Sequence, residues 1–282
     1  MTLAELGIAR VRAANPSPLT LTGTNTWVVG RDPAWVIDPG PLLDDHVAAV
    51  VEEVMRRGGL EGIVLTHGHV DHVEATQAFR LRAAQAWKRE RYGDEVRGRA
   101  NLVPIFAARG DADVLLANGD PAGPFTAVAT PGHAPDHLAY LLPDGAAFSG
   151  DAVLGRGSVG LVPGEGADGR SSLGAYLDGL RRLRALPLTT IYPGHGPVVD
   201  DPAAKLDEYL EHRLDRERRL VAALDAGKRS VDDLLDEVWD DAPPELRLAA
   251  AVTLAAHLEK LDEEGRLPEG VERPDLPPLG EL

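Results

Sequence analysis

Residues Thr66-His67-Gly68-His69-Val70-Asp71-His72 place three imidazoles and one carboxylate within six consecutive positions, directly after the apolar run Gly62-Ile63-Val64-Leu65. Imidazole nitrogen and carboxylate oxygen are the ligands that zinc and similar borderline divalent cations take. Three later loops also follow apolar runs and carry turn residues beside a candidate ligand: Thr130-Pro131-Gly132-His133, Phe148-Ser149-Gly150-Asp151 and Tyr192-Pro193-Gly194-His195-Gly196-Pro197. Functional groups in layered α/β folds gather at strand ends, so four such loops can aim their side chains at one point. The seven candidates His67, His69, Asp71, His72, His133, Asp151 and His195 suffice for two cations sharing a carboxylate and a solvent molecule. Cysteine is absent, so no thiolate can serve, and Asp151 is the candidate for the shared anion. Water between two cations ionises near neutral pH, and the cations stabilise charge developing on a carbonyl or phosphoryl group. The chemistry this predicts is hydrolysis.

Short apolar runs alternating with amphipathic segments position these loops and indicate an α/β protein. Strands are predicted at 26–29 and 34–37 around the turn Gly30-Arg31-Asp32-Pro33, then at 63–66, 102–106, 125–129, 138–142, 146–149 and 189–192. A helix capped by Asp44 or Asp45 carries Val47, Val50, Val51 and Val54 at helical spacing and ends at Gly58-Gly59. Residues 74–92 read as helical. A helix over 172–185 turns Leu173, Tyr176, Leu177, Leu180 and Leu183 to one side, after a Gly-rich aperiodic loop, Gly155 to Ser171, placed near the site. After Pro197 the character changes. Helices are predicted over 203–225, 231–239 and 244–264, the last with Leu248, Val252, Ala255, Leu258 and Leu261 inward. Gly265-Arg266-Leu267-Pro268 reads as a small turn or wing with a short strand after Arg266, and the end from Pro274 is Pro-rich. The division expected is a hydrolase domain over 1–200 and a helical module over 201–282.

Composition narrows the class. The 282 residues, 44% of them hydrophobic, can bury a substantial core. A formal charge of −16 disfavours non-specific nucleic-acid binding. The start Met1-Thr2-Leu3-Ala4-Glu5 lacks the features of a signal peptide. No apolar run approaches the ~20 residues that span a membrane. A cytoplasmic protein with no membrane partner is expected.

The ligand series resembles that of the metallo-β-lactamase superfamily: T-H-x-H-x-D-H, then G-H, then an Asp, then a final His, in this order. The resemblance spans about residues 20–200. It implies an αββα sandwich and two zinc ions, with iron or manganese as substitutes. Carried over by position, His67, His69 and His133 would bind one cation. Asp71, His72 and His195 would bind the other, with Asp151 bridging and Asp38 of Val36-Ile37-Asp38-Pro39-Gly40 supporting the His loop from behind. Asp71 and Asp151 are the candidate catalytic residues. A narrower resemblance is to the β-lactamase-like protein 2 branch. It rests on Gly23-Thr24-Asn25-Thr26-Trp27, on Thr130-Pro131-Gly132-His133-x-x-Asp136-His137, on Tyr209-x-x-His212-Arg213 and on His257-Leu258-x-Lys260-Leu261. That branch carries a winged-helix-like module; its animal members cleave single-stranded RNA, and fungal relatives cleave polyketide thioesters. The chain departs from the family pattern after the Asp-His pair, where Val73-Glu74-Ala75 replaces the frequent two glycines.

The resemblance makes an endoribonuclease or phosphodiesterase the leading expectation. The alternatives are an acyl hydrolase acting on a thioester, lactone or β-lactam, and a non-catalytic metal-binding module. Arg80, Arg82, Lys88, Arg89, Arg91, Arg97 and Arg99 make residues 74–101 locally basic. That segment is either a phosphate-steering surface or a solvated helix with i,i+4 pairs. His137 is expected to support the site without ligating, and His46, His212 and His257 to have packing or surface roles. DNA binding is rejected because the best recognition helix ends in Glu259, Asp262, Glu263 and Glu264. The helical module is expected to cap the site or form a homodimer contact.

Overall fold

The computed structural model describes residues 7–92 and 102–276. The readings of the first five residues and of Arg97 and Arg99 lie outside them. The chain forms two compact units, one of residues 1–129, 136–157 and 188–200, the other of 130–135, 158–187 and 201–282.

The first unit holds two sheets. One is ordered β1 (Ile8–Arg12), β2 (Asn25–Val29), β3 (Ala34–Ile37), β4 (Leu60–Val64), β5 (Ile105–Ala107) and β6 (Val114–Leu115). The pairs β1–β2–β3 are antiparallel and β3–β4–β5–β6 parallel. Parallel neighbours need crossovers. Helix α1 (Asp44–Arg56) joins β3 to β4, and α2 (Val70–Val73) with α3 (Thr76–Tyr92) joins β4 to β5. The second sheet orders β11 (Thr190–Pro193), β10 (Ala146–Gly150), β9 (Leu138–Leu141), β8 (Phe125–Ala129) and β7 (Pro121–Ala122), with only β10–β11 parallel.

Trp27, Ile37 and Val64 from the first sheet pack with Phe125, Tyr140, Phe148 and Tyr192 from the second to form the central core. The alternate residues Val28, Val36 and Ile63 face the other way, onto Val47, Val50 and Val54 of α1 and Phe79 of α3. That alternation is the sheet period of two meeting a helical period of 3.6. One local expectation fails: the N-cap of α1 is Leu43 without a side-chain cap, and Asp44 and Asp45 occupy the first turn. There their charge still complements the helix dipole.

The second unit contains α4 (Ser172–Arg184), α5 (Pro202–Asp225), α6 (Val231–Val238) and α7 (Arg247–Glu263). Leu220, Leu224, Leu234, Leu235, Leu254, Leu258 and Leu261 form its core. Leu248, expected inward, is 50% exposed, and Leu254 is buried in its place. The short strand expected after Arg266 does not form. Glu272 N–H instead donates to Arg229 O at 2.9 Å, so the segment returns irregularly to the start of α6. The Gly-rich loop is bound to these helices. Arg213, itself buried, donates to Ser158 Oγ at 3.0 Å and to Val159 O. Glu263 accepts from Ser171 N at 2.9 Å, and Glu259 accepts from Gly164 N at 2.8 Å and Ser172 N at 2.9 Å. The acidic end of α7 is thus used inside the unit.

His257 is 1% exposed, and neither ring nitrogen has a hydrogen-bond partner among the described residues. Burial lowers its pKa well below the ordinary 6.5, and the cationic groups of Arg213, Lys260, His212 and Arg216 push in the same direction. The folded unit keeps this imidazole neutral, while the unfolded chain takes up a proton below 6.5. Its contribution is therefore complete above that pH and lost as pH falls, by about 1.4 kcal/mol per unit until the folded group titrates. Urea unfolding at pH 7.5 and 5.5 is expected to show a lower midpoint at the acid pH, with a smaller drop in His257→Leu. Equal drops in both proteins would rule the effect out. Among the described residues, no helix is long and apolar enough to cross a membrane.

Candidate metal centre

Strand ends position the candidate ligands of the first unit. β4 runs into the loop of His67, His69, Asp71 and His72, with the last two on the single-turn helix α2. β10 ends at Gly150, next to Asp151, and β11 ends two residues before His195. Both strands need glycine here. A Cβ on Gly194 would meet Asp151 Oδ1 at 2.5 Å and His72 Cε1 at 2.7 Å. Gly150 takes a φ of +47°, and a Cβ there would meet Thr66 Oγ1 at 2.6 Å.

These loops bring six of the seven candidates together. His72 Nε2 lies 3.3 Å from His195 Nε2, 3.5 Å from Asp71 Oδ2 and 3.5 Å from Asp151 Oδ1. His195 Nε2 lies 3.3 Å from Asp71 Oδ2 and 3.3 Å from Asp151 Oδ2. His67 Nε2 is 2.9 Å from His69 Nδ1. The triads His67, His72, Asp151 and Asp71, His72, His195 each offer one donor atom per residue, all within 4.8 Å of one another.

Hydrogen-bond chemistry sets which ring nitrogens point inward. Asp38 is 1% exposed; its Oδ1 accepts from Thr66 N–H at 2.7 Å, and its Oδ2 accepts from Thr66 Oγ1–H at 2.7 Å. The Thr66 hydroxyl proton is therefore committed, so its oxygen must accept from His67 Nδ1–H at 2.9 Å. Asp38 Oδ2 also accepts from His72 Nδ1–H at 2.9 Å. One carboxylate thereby fixes a proton on Nδ1 of both His67 and His72 and makes Nε2 the nitrogen that faces the other ligands, the orientation that metal-bound imidazoles have.

The seventh candidate, His133, lies in the second unit. Its turn abuts α4, where a Cβ on Gly132 (φ +125°) would come within 2.5 Å of Tyr176 Cβ. Its Nδ1 lies 3.0 Å from Gly160 O in the Gly-rich loop. A carbonyl only accepts, so Nδ1 of this ring is the donor.

The electrostatics follow from crowding. Burial pushes the Asp151 carboxyl up, but the imidazoles of His72 and His195 outweigh it and hold the group well below the usual carboxylate range. Asp71 responds in the same way, to about 2, through His195, His72 and the hydroxyl of Thr24. Burial lowers His195, yet Asp151 and Asp71 raise it to about 9. Imidazole nitrogens 3.3 Å apart, each facing two carboxylates, form a donor set that divalent cations fit.

Supporting residues complete the centre. Asp151 N–H donates to His137 Nε2 at 3.0 Å, and the His137 ring stacks on His67 at 4.9 Å, the supporting position expected of it. His46 is buried, with Nε2 3.0 Å from Thr26 Oγ1 and 3.1 Å from Pro39 O. Sequence reasoning assigned no role to Asn15, Thr24 or Asn25. Asn25 Nδ2 donates to Pro193 O and Gly196 O, both at 3.0 Å, bracing the His195 turn. For Thr24 and Asn25 the signal was the run Gly23-Thr24-Asn25-Thr26-Trp27, which carries the narrower resemblance without assigning them a role; Asn15 had none.

Comparison with known proteins adds an independent view. The family model described as "Metallo-beta-lactamase superfamily" matches residues 19–195, and "Beta-lactamase associated winged helix domain" matches 230–270. A Caenorhabditis elegans protein, "Beta-lactamase-like protein 2 homolog", is 32% identical, covering 92% of this chain and 85% of that one. The "Atrochrysone carboxyl ACP thioesterase" of Aspergillus chevalieri is 31% identical, covering 85% of this chain and 75% of that one. The crystal structure of a beta-lactamase domain protein from Burkholderia ambifaria superposes with a TM-score of 0.72 at 21% identity, over 94% of this chain and 90% of that one. At that identity it speaks for the fold.

Proposed function

Since the chain belongs to the metallo-beta-lactamase superfamily, a family of metal-dependent hydrolases, we propose that it is a dinuclear hydrolase of acyl substrates, thioesters foremost. The observation that carries the dinuclear reading is the convergence of His67, His69, Asp71, His72, Asp151 and His195, with Nε2 of His67 and His72 turned inward by Asp38. In this reading His67, His69 and His133 hold one cation, Asp71, His72 and His195 hold the other, and Asp151 is shared. The match over 19–195 includes all seven. Two zinc ions suit these nitrogen and oxygen donors, and iron or manganese would also be accepted.

When bound, the cations supply Lewis acidity and lower the pKa of water. The chain's own groups do the rest. Asp71 and Asp151, both held ionised, accept hydrogen bonds from an attacking water and orient it. His137 and Gly194 fix where Asp151 sits.

The substrate reading rests on what borders the ligands. Val70, inside the ligand run, is 66% exposed, and Leu42, whose N–H donates to Glu74 beside α2, is 48% exposed. An apolar rim of this kind suits an acyl chain. The cations of α3 are engaged elsewhere. Arg80 donates to Val103 O and Asp113, Arg82 pairs with Asp44, and Arg91 lies over Trp87. Arg89 sits about 20 Å along the helix axis from the end that follows the ligand loop. The thioesterase relative points the same way. Cleavage of single-stranded RNA is the second reading, favoured by the similarity to beta-lactamase-like protein 2 homologs.

A panel of an acyl thioester, a lactone, nitrocefin, bis-nitrophenyl phosphate and a single-stranded oligoribonucleotide tests the assignment. Thioester turnover that disappears in Asp71→Ala, with the oligoribonucleotide intact, is expected. RNA cleavage that disappears in Asp71→Ala, with no acyl turnover, would replace the first reading by the second.

A further inference from the structure

Thr24 lies outside the ligand series, on the approach to β2, and is fully buried. Its hydroxyl is 2.8 Å from Asp71 Oδ2 and 2.9 Å from Asn15 Nδ2. Its backbone N–H donates to Asn15 Oδ1 at 2.9 Å. That last bond settles which end of the Asn15 amide is oxygen, because a backbone N–H cannot face an NH2 group. The amide nitrogen therefore donates to Thr24 Oγ1. With this lone pair filled from one side, the Thr24 hydroxyl proton can only go to Asp71. The direction of every hydrogen in the chain Asn15–Thr24–Asp71 is thus determined by chemistry.

The backbone secures the same point. Gly23 adopts φ +120°, and a Cβ there would lie 2.0 Å from Ala13 O, so only glycine lets this segment approach the end of β1. Ala13 N–H then donates to Thr24 O at 2.9 Å. The following residue, Asn25, donates its backbone N–H to Gly194 O at 2.7 Å. Two consecutive residues therefore touch both sides of one ligand triad, Asp71 through a side chain and the His195 turn through the backbone.

We propose that Thr24 is a positioning residue for Asp71: its hydroxyl, oriented by Asn15, holds Oδ2 in place so that Asp71, His72 and His195 form a ready site for the second cation. The inference rests on the dinuclear reading above. Asp71 is 28% exposed at its side chain, and the other contacts of Oδ2 are with His72 and His195, the two imidazoles of its own triad, so Thr24 is the anchor from outside the ligand set. Ordering it in advance removes a rotamer cost from cation binding. Removal of a hydrogen bond to a metal ligand costs about 10- to 100-fold in affinity.

The test is cobalt(II) titration of the metal-stripped full chain, read by visible absorption and by equilibrium dialysis. The parent is expected to bind two equivalents. Thr24→Val, which keeps the shape and removes the hydroxyl, should bind the second equivalent at least about tenfold more weakly, with the first unchanged. Thr24→Ser should restore most of that affinity, a rescue that a space-filling role would not show. Asn15→Ala, at a half-buried position, frees the hydroxyl to turn and should give an intermediate loss even if Thr24→Val folds poorly. Parent-like second-site affinity in both Thr24→Val and Asn15→Ala would overturn the role of Thr24 alone. A parent that binds one equivalent would instead overturn the dinuclear reading and the inference with it.

Discussion

Asp151→Ala is expected to lose at least about three orders of magnitude in hydrolysis, roughly 4 kcal/mol of transition-state stabilisation, and to retain no more than one cation per chain. Its two oxygens are split between partners, Oδ1 toward His72 Nε2 at 3.5 Å and Oδ2 toward His195 Nε2 at 3.3 Å. The two residues that fix its place cannot substitute for it. Gly194, against Oδ1, has no side chain, and His137 already accepts from the Asp151 backbone. Metal analysis of the purified variant beside its thioester turnover checks the result. Activity above a tenth of the parent's, with two cations bound, would refute the shared role.

Asp38 carries the second large effect, although it belongs to neither ligand triad. It accepts three hydrogen bonds, from Thr66 N–H, Thr66 Oγ1 and His72 Nδ1, at a buried position with φ +50°. Asp38→Ala leaves a buried N–H unsatisfied and breaks a buried charged contact, a loss of about 3–5 kcal/mol in stability. Asp38→Asn is the more informative change. Its amide has one acceptor and one NH2, so the three donors now around Asp38 cannot all be served. An NH2 facing His72 drives that ring to the opposite tautomer, with a proton on Nε2 where a cation should bind. Asn is therefore expected to fold close to normally, by thermal unfolding, yet to bind zinc about 10- to 100-fold more weakly. Parent-like zinc affinity in this variant would show that tautomer control is not what Asp38 supplies.

These two residues illustrate what the sequence can and cannot disclose. Asp151 was visible as a ligand type placed after an apolar run and a glycine. The strands that position the loops were visible for the same reason: at 26–29, 34–37, 125–129 and 138–142 the apolar runs coincide with observed strands to within a residue. β1 was not visible. It is an edge strand whose outward positions are Arg10 and Arg12, which interrupt the apolar signal. Leu248 shares the helical phase of the buried Val252 and Ala255, but it sits in the first turn of α7 and is exposed there. The family resemblance placed Asp38 behind the His loop, but the partners and directions of its hydrogen bonds, and the role of Thr24, were out of reach. Asp38 meets Thr66 across 28 positions and Thr24 meets Asp71 across 47, distances over which periodicity carries no information. The Arg-rich stretch shows the converse. Its composition left a phosphate-steering surface and a solvated helix with i,i+4 pairs both open, and Arg80 and Arg82 pair with Asp113 and Asp44, carboxylates outside the helix.

The ligands of the first unit come from two different sheets: His67 to His72 leave β4, whereas Asp151 and His195 follow β10 and β11. His72 and His195 meet across 123 positions of chain. Neither sheet can assemble the triad by itself, so the centre comes into being only when the two faces have docked in correct register. Such long-range closure is slow and comes late in folding. A cation bound there acts as a clasp across the sandwich, and its binding energy is folding energy for both sheets at once. Chelation should therefore quicken amide exchange at the ends of β4, β10 and β11 together, rather than locally at any one loop.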